Sequence, residues 1–227
     1  MAVRKDGRNT RERLLEAASK IFAEKGYHDA TVGEICSAAR TNVAAINYHF
    51  GSKEQLYAEV WRFAFDLANE AYPPEGGLGP EAPAEERLRG TIHSLVGKTV
   101  DPGRLGHVGK LLLREMVHPT EVLQQVKRDA LHPLHERTHR LIQELLGPKA
   151  SRRQVVFCEM SIIHQCIATG ICLYRGQMPP GMQAELDLPG EELVEVITKH
   201  IAEFSLGGLR AVRKQIDGET IELRCGS

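Results

Sequence analysis

Helix-start signals fall so close together in the first sixty residues that the chain there can only be short helices joined by tight turns. Asn9 precedes the apolar series Leu14, Leu15, Ala18, Ile21 and Phe22 at helical spacing, and Glu12 three residues on completes a capping box. Gly26 stops this helix. Thr31-Val-Gly-Glu34 opens a second helix carrying Ile35, Ala38 and Ala39, and a third starts near Asn42 and runs through Ala45, Ile46 and His49. Ser52 with Gln55 caps a longer fourth helix, on which Leu56, Val60, Phe63 and Leu67 share one face.

The Pro- and Gly-rich stretch Pro73 to Pro80 cannot continue that helix. Beyond it, apolar periodicity predicts helices near residues 84–99, 105–117, 120–146, 152–175 and 190–213, punctuated at Pro102-Gly103, Pro119, Gly147-Pro148, Pro179-Pro180-Gly181 and Pro189-Gly190. Strand-like alternation is confined to Thr220–Leu223. The expected fold is all-α, with an N-terminal three-helix unit joined to a C-terminal helical bundle. The expected domains are residues 1–60, 61–215 and a tail over 216–227.

Lys plus Arg (29) nearly balance Asp plus Glu (30), so any nucleic-acid function must rest on a local patch rather than on net charge. The five cysteines, Cys36, Cys158, Cys166, Cys172 and Cys225, form no C-x-x-C pair, which argues against a disulfide framework or zinc ribbon and fits a reducing cytosol. The polar, basic N-terminus has no signal-peptide core. The apolar stretch Val155–Tyr174 is interrupted by Glu159, Ser161, His164 and Gln165, and reads as a buried protein helix rather than a membrane span. A cytoplasmic protein with no membrane partner is expected. No G-x-S-x-G, H-E-x-x-H, P-loop or dinucleotide fingerprint is present, so no enzymatic chemistry is predicted.

Two short helices joined by a tight turn, with a capping Ser and a Lys opening the next helix, form the geometry of a helix-turn-helix reader. The stretch Ile46-Asn-Tyr-His-Phe-Gly-Ser-Lys-Glu-Gln-Leu-Tyr57, with the spacing of Phe22, Gly26, Thr31 and Ile35 ahead of it, resembles the TetR family of transcription regulators over residues 10–60. The turn departs from the pattern: Arg40-Thr41 stand where the family has Gly and an apolar residue. A positive φ is costly for Arg, so this turn is either reshaped or strained.

The resemblance implies operator DNA as partner and Thr31, Asn42, Val43, Ala44, Ala45, Asn47, Tyr48, His49 and Lys53 as its contacts. Thr31, at a helix N-terminus, suits a phosphate. Tyr48, His49 and Lys53 match positions that grip the backbone, and Asn47 can pair with adenine N6 and N7 while Val43 and Ala44 touch thymine methyls. Other roles stay open: Tyr48 as a packed ring, Asn47 as a solvated residue, and Arg4, Lys5 and Arg8 as either a minor-groove arm or a solvated tail.

The segments Leu113–Thr120 and Ser161–Cys166 are similar to the CecR-like branch of the family. That resemblance implies a ligand cavity among the C-terminal helices, a homodimer closed by the last two long helices, and repression relieved by a small-molecule effector. The helix over 152–174 is apolar on nearly all sides, and Leu193, Ile197, Ile201 and Phe204 form a second stripe, which suits a four-helix interface between two copies. A single self-contained core is the alternative. Candidate effector residues are Trp61, Phe65, Arg114, Glu115, His118, His164 and Gln165; polar groups inside apolar helices serve either a ligand pocket or an internal hydrogen-bond network. His132, His135 and His139 share one helix stripe and suit a solvated face better than a metal. Neither metal nor cofactor is expected.

Overall fold

The computed structural model describes residues 2–101 and 105–218, with side chains from Thr10 onward. The basic residues Arg4, Lys5 and Arg8 fall outside the described side chains, and the Thr220–Leu223 stretch outside the described residues. All regular structure described is helical: α1 (Ala2–Asp29), α2 (Val32–Ala38), α3 (Val43–Phe50), α4 (Lys53–Ala71), α5 (Ala84–Val100), α6 (His107–Val117), α7 (Gln124–Leu146), α8 (Arg152–Arg175), α9 (Pro180–Glu185) and α10 (Gly190–Ile216), with single 3-10 turns at Pro74–Gly77 and Glu121–Leu123. The all-α expectation holds, and the boundaries of α5, α8 and α10 lie within three residues of those read from periodicity.

Two starts differ. Helix α1 begins at Ala2, upstream of the cap expected at Asn9, because Ala2–Arg8 holds no helix breaker beyond Gly7, whose cost is only about 1 kcal/mol. Helix α9 forms where the Pro-Pro-Gly punctuation predicted only a loop; Pro180 takes the first helical position, where its missing N–H is no loss.

The chain divides into two compact units, Met1–Ala71 with Asp101–Leu131, and Tyr72–Val100 with His132–Ser227. In the first, Leu14, Ala18 and Phe22 of α1 meet Ile35, Ile46, Phe50, Leu56 and Tyr57 in one core, and Leu111 and Leu113 of α6 are equally buried. On α4 the buried face is Leu56, Val60, Ala64 and Ala68 with Tyr57 and Trp61 beside it, whereas Phe63, expected to share that face, is 40% exposed. The small alanines let neighbouring helices come close, so the true seam runs one position off the bulky residues.

In the second unit α5, α8 and α10 pack together. Gly170 of α8 lies against Thr99 of α5 so closely that a Cβ would sit 2.4 Å from the Thr99 side chain, and the Thr99 hydroxyl donates to the Cys166 carbonyl at 3.1 Å. Arg87, buried, donates to the Ala82 carbonyl (3.0 Å) and to Glu144 (2.5 Å), tying α5 to α7.

Gly26 is the sharpest backbone requirement in the first unit. Its φ of 81° and ψ of 176° are open only to glycine, and a Cβ there would lie 2.6 Å from Nε of Arg114. Gly26→Ala is expected to destabilise the protein by about 1–3 kcal/mol, seen as a lower urea midpoint with an unchanged denaturant slope.

Candidate nucleic-acid interface

Helix α3 is short because both ends are fixed by local chemistry. Asn42 Oδ1 accepts from the Ala45 N–H at 3.1 Å to cap the start, and Gly51, at φ 81°, ends it. Ile46 and Phe50 are buried against the first unit's core. Their burial fixes the rotation of the helix, and therefore which side chains are left outside: Val43 is 50% exposed, Ala44 and Asn47 are exposed, Ala45 and His49 are half-buried. Tyr48 is 85% exposed, its ring resting edge-on against His49 at 4.9 Å, so it is not a packed core ring.

Helix α2 is capped by the expected box. Thr31 Oγ1 accepts from the Glu34 N–H (3.2 Å) and donates to Glu34 Oε2 (2.9 Å), which also accepts from the Thr31 N–H (3.0 Å). Lys25 pairs with the same carboxylate, and its hydrogen bond, then those from Thr31, lower the Glu34 carboxyl to about 2. The Thr31 hydroxyl is thus engaged within the chain, which leaves first-turn backbone N–H groups as the donors at this helix end.

Lys53, at the start of α4, is held in place. Its Nζ lies 4.6 Å from the centre of the Tyr27 ring and donates to the His28 carbonyl at 3.4 Å. The Tyr27 hydroxyl donates to Glu54 at 2.7 Å, and burial, followed by this carboxylate, pushes its pKa up to about 12. Sequence reading missed this platform. The signal was an aromatic residue directly after the helix-stopping Gly26, meaningful only once the fold brings it to Lys53.

The effector candidates fall into separate groups. On α6, Arg114 donates to the Glu24 and Lys25 carbonyls at 3.2 and 2.8 Å, capping the end of the regular part of α1. Glu115, buried, accepts from the Tyr57 hydroxyl (2.9 Å), the Thr120 N–H (2.7 Å) and Lys127 (3.3 Å). His118 is exposed at the end of α6 and borders a hollow of about 90 Å3 with Arg114, Tyr57 and Thr120. Trp61 is buried and stacks on Phe65 at 5.1 Å. His164 and Gln165 belong to α8 in the second unit, where His164 is exposed and Gln165 donates to the Ser161 carbonyl at 3.0 Å.

Gln165 also borders a cleft of about 320 Å3 between α8 and α10, lined by Phe157, Cys158, Ile162, Phe204 and Leu209. Phe157 (60% exposed), Met160 (47%) and Phe204 (65%) leave a broad apolar surface uncovered there. By length and composition α8 is apolar enough to cross a membrane, with 28% of its most apolar window buried in the chain. Of the three histidines of α7, His132 is exposed, while His135 and His139 place Nδ1 2.8 and 3.0 Å from the two oxygens of buried Glu159. Among the described residues no group of His, Cys, Asp and Glu is arranged to hold a metal ion.

Two short helices, α2 and α3, joined by a tight turn, with α3 capped at both ends and facing outward, have the arrangement of a helix-turn-helix unit. Residues 14–60 match the bacterial regulatory proteins of the tetR family, and residues 84–209 match the C-terminal domain of the HTH-type transcriptional dual regulator CecR. The chain belongs to the TetR family of regulators, in its CecR-like branch. It is 28% identical over 203 residues to CecR of Shigella flexneri, covering 86% of this chain and 91% of that protein. The fatty acid degradation regulator FadR of Bacillus halodurans shares the fold at a TM-score of 0.61 and 18% identity, over 88% of this chain and 96% of its own. AibR, solved in complex with isovaleryl coenzyme A and operator DNA, does so at 0.55 and 18%, over 83% and 96%.

A phosphate-gripping Lys53 and a base-reading Asn47 would separate experimentally. Lys53→Ala is expected to weaken binding to every duplex and to lower the salt-dependence slope by about one unit. Asn47→Ala is expected to cost about 1–3 kcal/mol at one base position and to relax preference there. Equal losses on operator and random DNA for Asn47→Ala would remove it from the base-reading set.

Proposed function

We propose that the protein is a homodimeric, cytoplasmic repressor that binds operator DNA through α3 and leaves it when a small-molecule effector binds. The observation that carries this reading is the division of α3: Ile46 and Phe50 fix it to the core, while Val43, Ala44, Asn47 and Tyr48 are left exposed as donors, acceptors and methyl contacts for base edges and backbone. In this reading residues 1–60 read DNA, residues 61–215 sense and dimerise, and 216–227 form a tail. Thr31, Asn42, Ala45, His49 and Lys53 complete the DNA contacts. The reading assigns the chain no catalysis, in keeping with relatives that are transcription regulators.

The uncovered apolar surface of α8 and α10 supports dimerisation, because a soluble chain does not leave three large side chains such as Phe157, Met160 and Phe204 together in water without a partner. In this reading a dimer is expected to bind a palindromic operator with its two α3 helices in successive major grooves, about 34–36 Å apart or somewhat more. Phe157→Asp with Phe204→Asp is expected to give a folded monomer in sedimentation and to abolish tight binding to a palindromic site. A double variant that stays dimeric would move the interface elsewhere.

In this reading the effector binds among the C-terminal helices. Of the candidate residues, Arg114 and Glu115 are held by partners within the first unit and serve the fold, while Trp61, Phe65 and His118 belong to that unit and His164 and Gln165 to the other, so they do not make up one site. A neighbour of the same fold, solved with isovaleryl coenzyme A and operator DNA, supports a chain that has a site for each kind of ligand. An effector acts only through its preference for the state that does not bind DNA; a coupling of about 1–3 kcal/mol corresponds to roughly 5- to 150-fold weaker operator binding. By reciprocity operator DNA weakens effector binding by the same factor. Calorimetry of a candidate effector with and without operator reads this directly, and equal affinities in both titrations rule that compound out as an inducer.

A further inference from the structure

Two non-glycine residues among those described take a positive φ, Arg40 and Glu75, each at 52°. Glu75 is held there by its surroundings. It is buried, its carboxylate lies 3.6 Å from Arg87 and 3.5 Å from Arg137, and its backbone abuts Gly90 so closely that a Cβ on that glycine would meet it at 2.3 Å. Arg40 has no such support. It is exposed, and among the described residues its guanidinium makes no ion pair and no hydrogen bond. Only the backbone is engaged: the Arg40 N–H donates to the Ser37 carbonyl at 3.1 Å and the Thr41 N–H to the Cys36 carbonyl at 2.9 Å, closing the turn that ends α2. Glycine makes the same turn without the left-handed penalty. A strained backbone that nothing in the chain compensates points to a role for the side chain outside the chain.

The distribution of charge says what that role is. Helix α3, Val-Ala-Ala-Ile-Asn-Tyr-His-Phe, contains neither Lys nor Arg. The permanent cations nearest to it in sequence are Arg40, before its first residue, and Lys53, after its last. Eight helical residues rise about 12 Å, comparable to the roughly 12 Å width of a major groove rimmed by phosphates on both sides. Lys53 is already fixed over Tyr27 at one end. Toward the other end, Arg40 is the one Lys or Arg in the sequence between Lys25 and the start of α3.

We propose that Arg40 is a DNA-backbone contact, its guanidinium gripping a phosphate at the N-terminal end of α3 as the counterpart of Lys53 at the C-terminal end. The planar fork of Arg takes two phosphate oxygens at once, and the strained turn is what delivers it there. This inference rests on the DNA-binding reading above and adds a residue to it.

The test uses the full-length protein, mixed-sequence duplex DNA as the probe, and Arg40→Gly and Arg40→Lys variants, titrated between roughly 50 and 200 mM salt. Arg40→Gly is expected to lower the salt-dependence slope by about 0.9 for each phosphate no longer neutralised, which corresponds to roughly eightfold weaker binding per phosphate at 0.1 M salt. Its thermal midpoint is expected to rise by about 2–4 °C as the strain is released, so weaker binding cannot be ascribed to unfolding. Arg40→Lys is expected to keep the wild-type slope. The proposal is overturned if Arg40→Gly keeps both slope and affinity, or if it loses affinity at an unchanged slope, which assigns the effect to the shape of the turn rather than to charge. Wild-type protein that binds no duplex at any salt overturns the DNA-binding reading itself, and this inference with it.

Discussion

One buried carboxylate ties three helices of the first unit to one another. Glu115 brings α4, α6, the loop before α7 and α7 itself to a single point, through Tyr57, Thr120 and Lys127. A charge taken out of water this completely is stable only while its partners are in place, since stripping one partner from a buried ionic cluster typically costs about 3–5 kcal/mol. Burial, with Glu115 beside it, raises the Tyr57 hydroxyl far above the ordinary phenol range, so Tyr57 stays a proton donor to Glu115. Its neighbour Arg114 reaches the other way, to the last carbonyls of the regular part of α1. Two adjacent residues of α6 therefore anchor two of the helices that support α3.

This anchoring explains why α3 can be so short. Eight residues are far below the length at which a helix is stable alone. Helix α3 persists because Ile46 and Phe50 are buried and both its ends are capped. The helices around it must then hold still, and Gly26 is where that demand meets the backbone: the chain kinks there in a conformation only glycine accepts, with the Arg114 guanidinium filling the space of a Cβ.

The second unit is organised differently. Helix α8 buries a single stripe, Val155, Glu159, Ile162, Cys166 and Gly170, against its own unit and leaves most of its apolar circumference outside. Glu159 on that stripe faces His135 and His139, so two of the three histidines read as a solvated stripe are structural partners of a buried acid. Burial pushes the Cys166 thiol up to about 12, consistent with a small packing residue rather than a reactive one.

Local chemistry was legible in the sequence wherever a few neighbouring residues decide the outcome. The capping box at Thr31, the stop at Gly26, the cost at Arg40 and the all-helical class follow from spacing and side-chain type within one or two turns. The exposed face of α3 was legible for the same reason, because Ile46 and Phe50 announce which side is buried. The fates of Arg114 and Glu115 were not. A charged pair on an apolar helix looks the same in sequence whether it faces a ligand or braces a fold, and the partners that engage it, Glu24, Lys25 and Tyr57, lie more than fifty residues away. No short-range signal joins Lys53 to its Tyr27 platform either, or says what covers the apolar side of α8. The sequence by itself determined where helices begin, end and turn a face inward, since those are short-range balances of hydrogen bonding and burial. Only the tertiary structure decided which buried charges meet, because a charge leaves water only where a partner from elsewhere in the chain is already waiting for it.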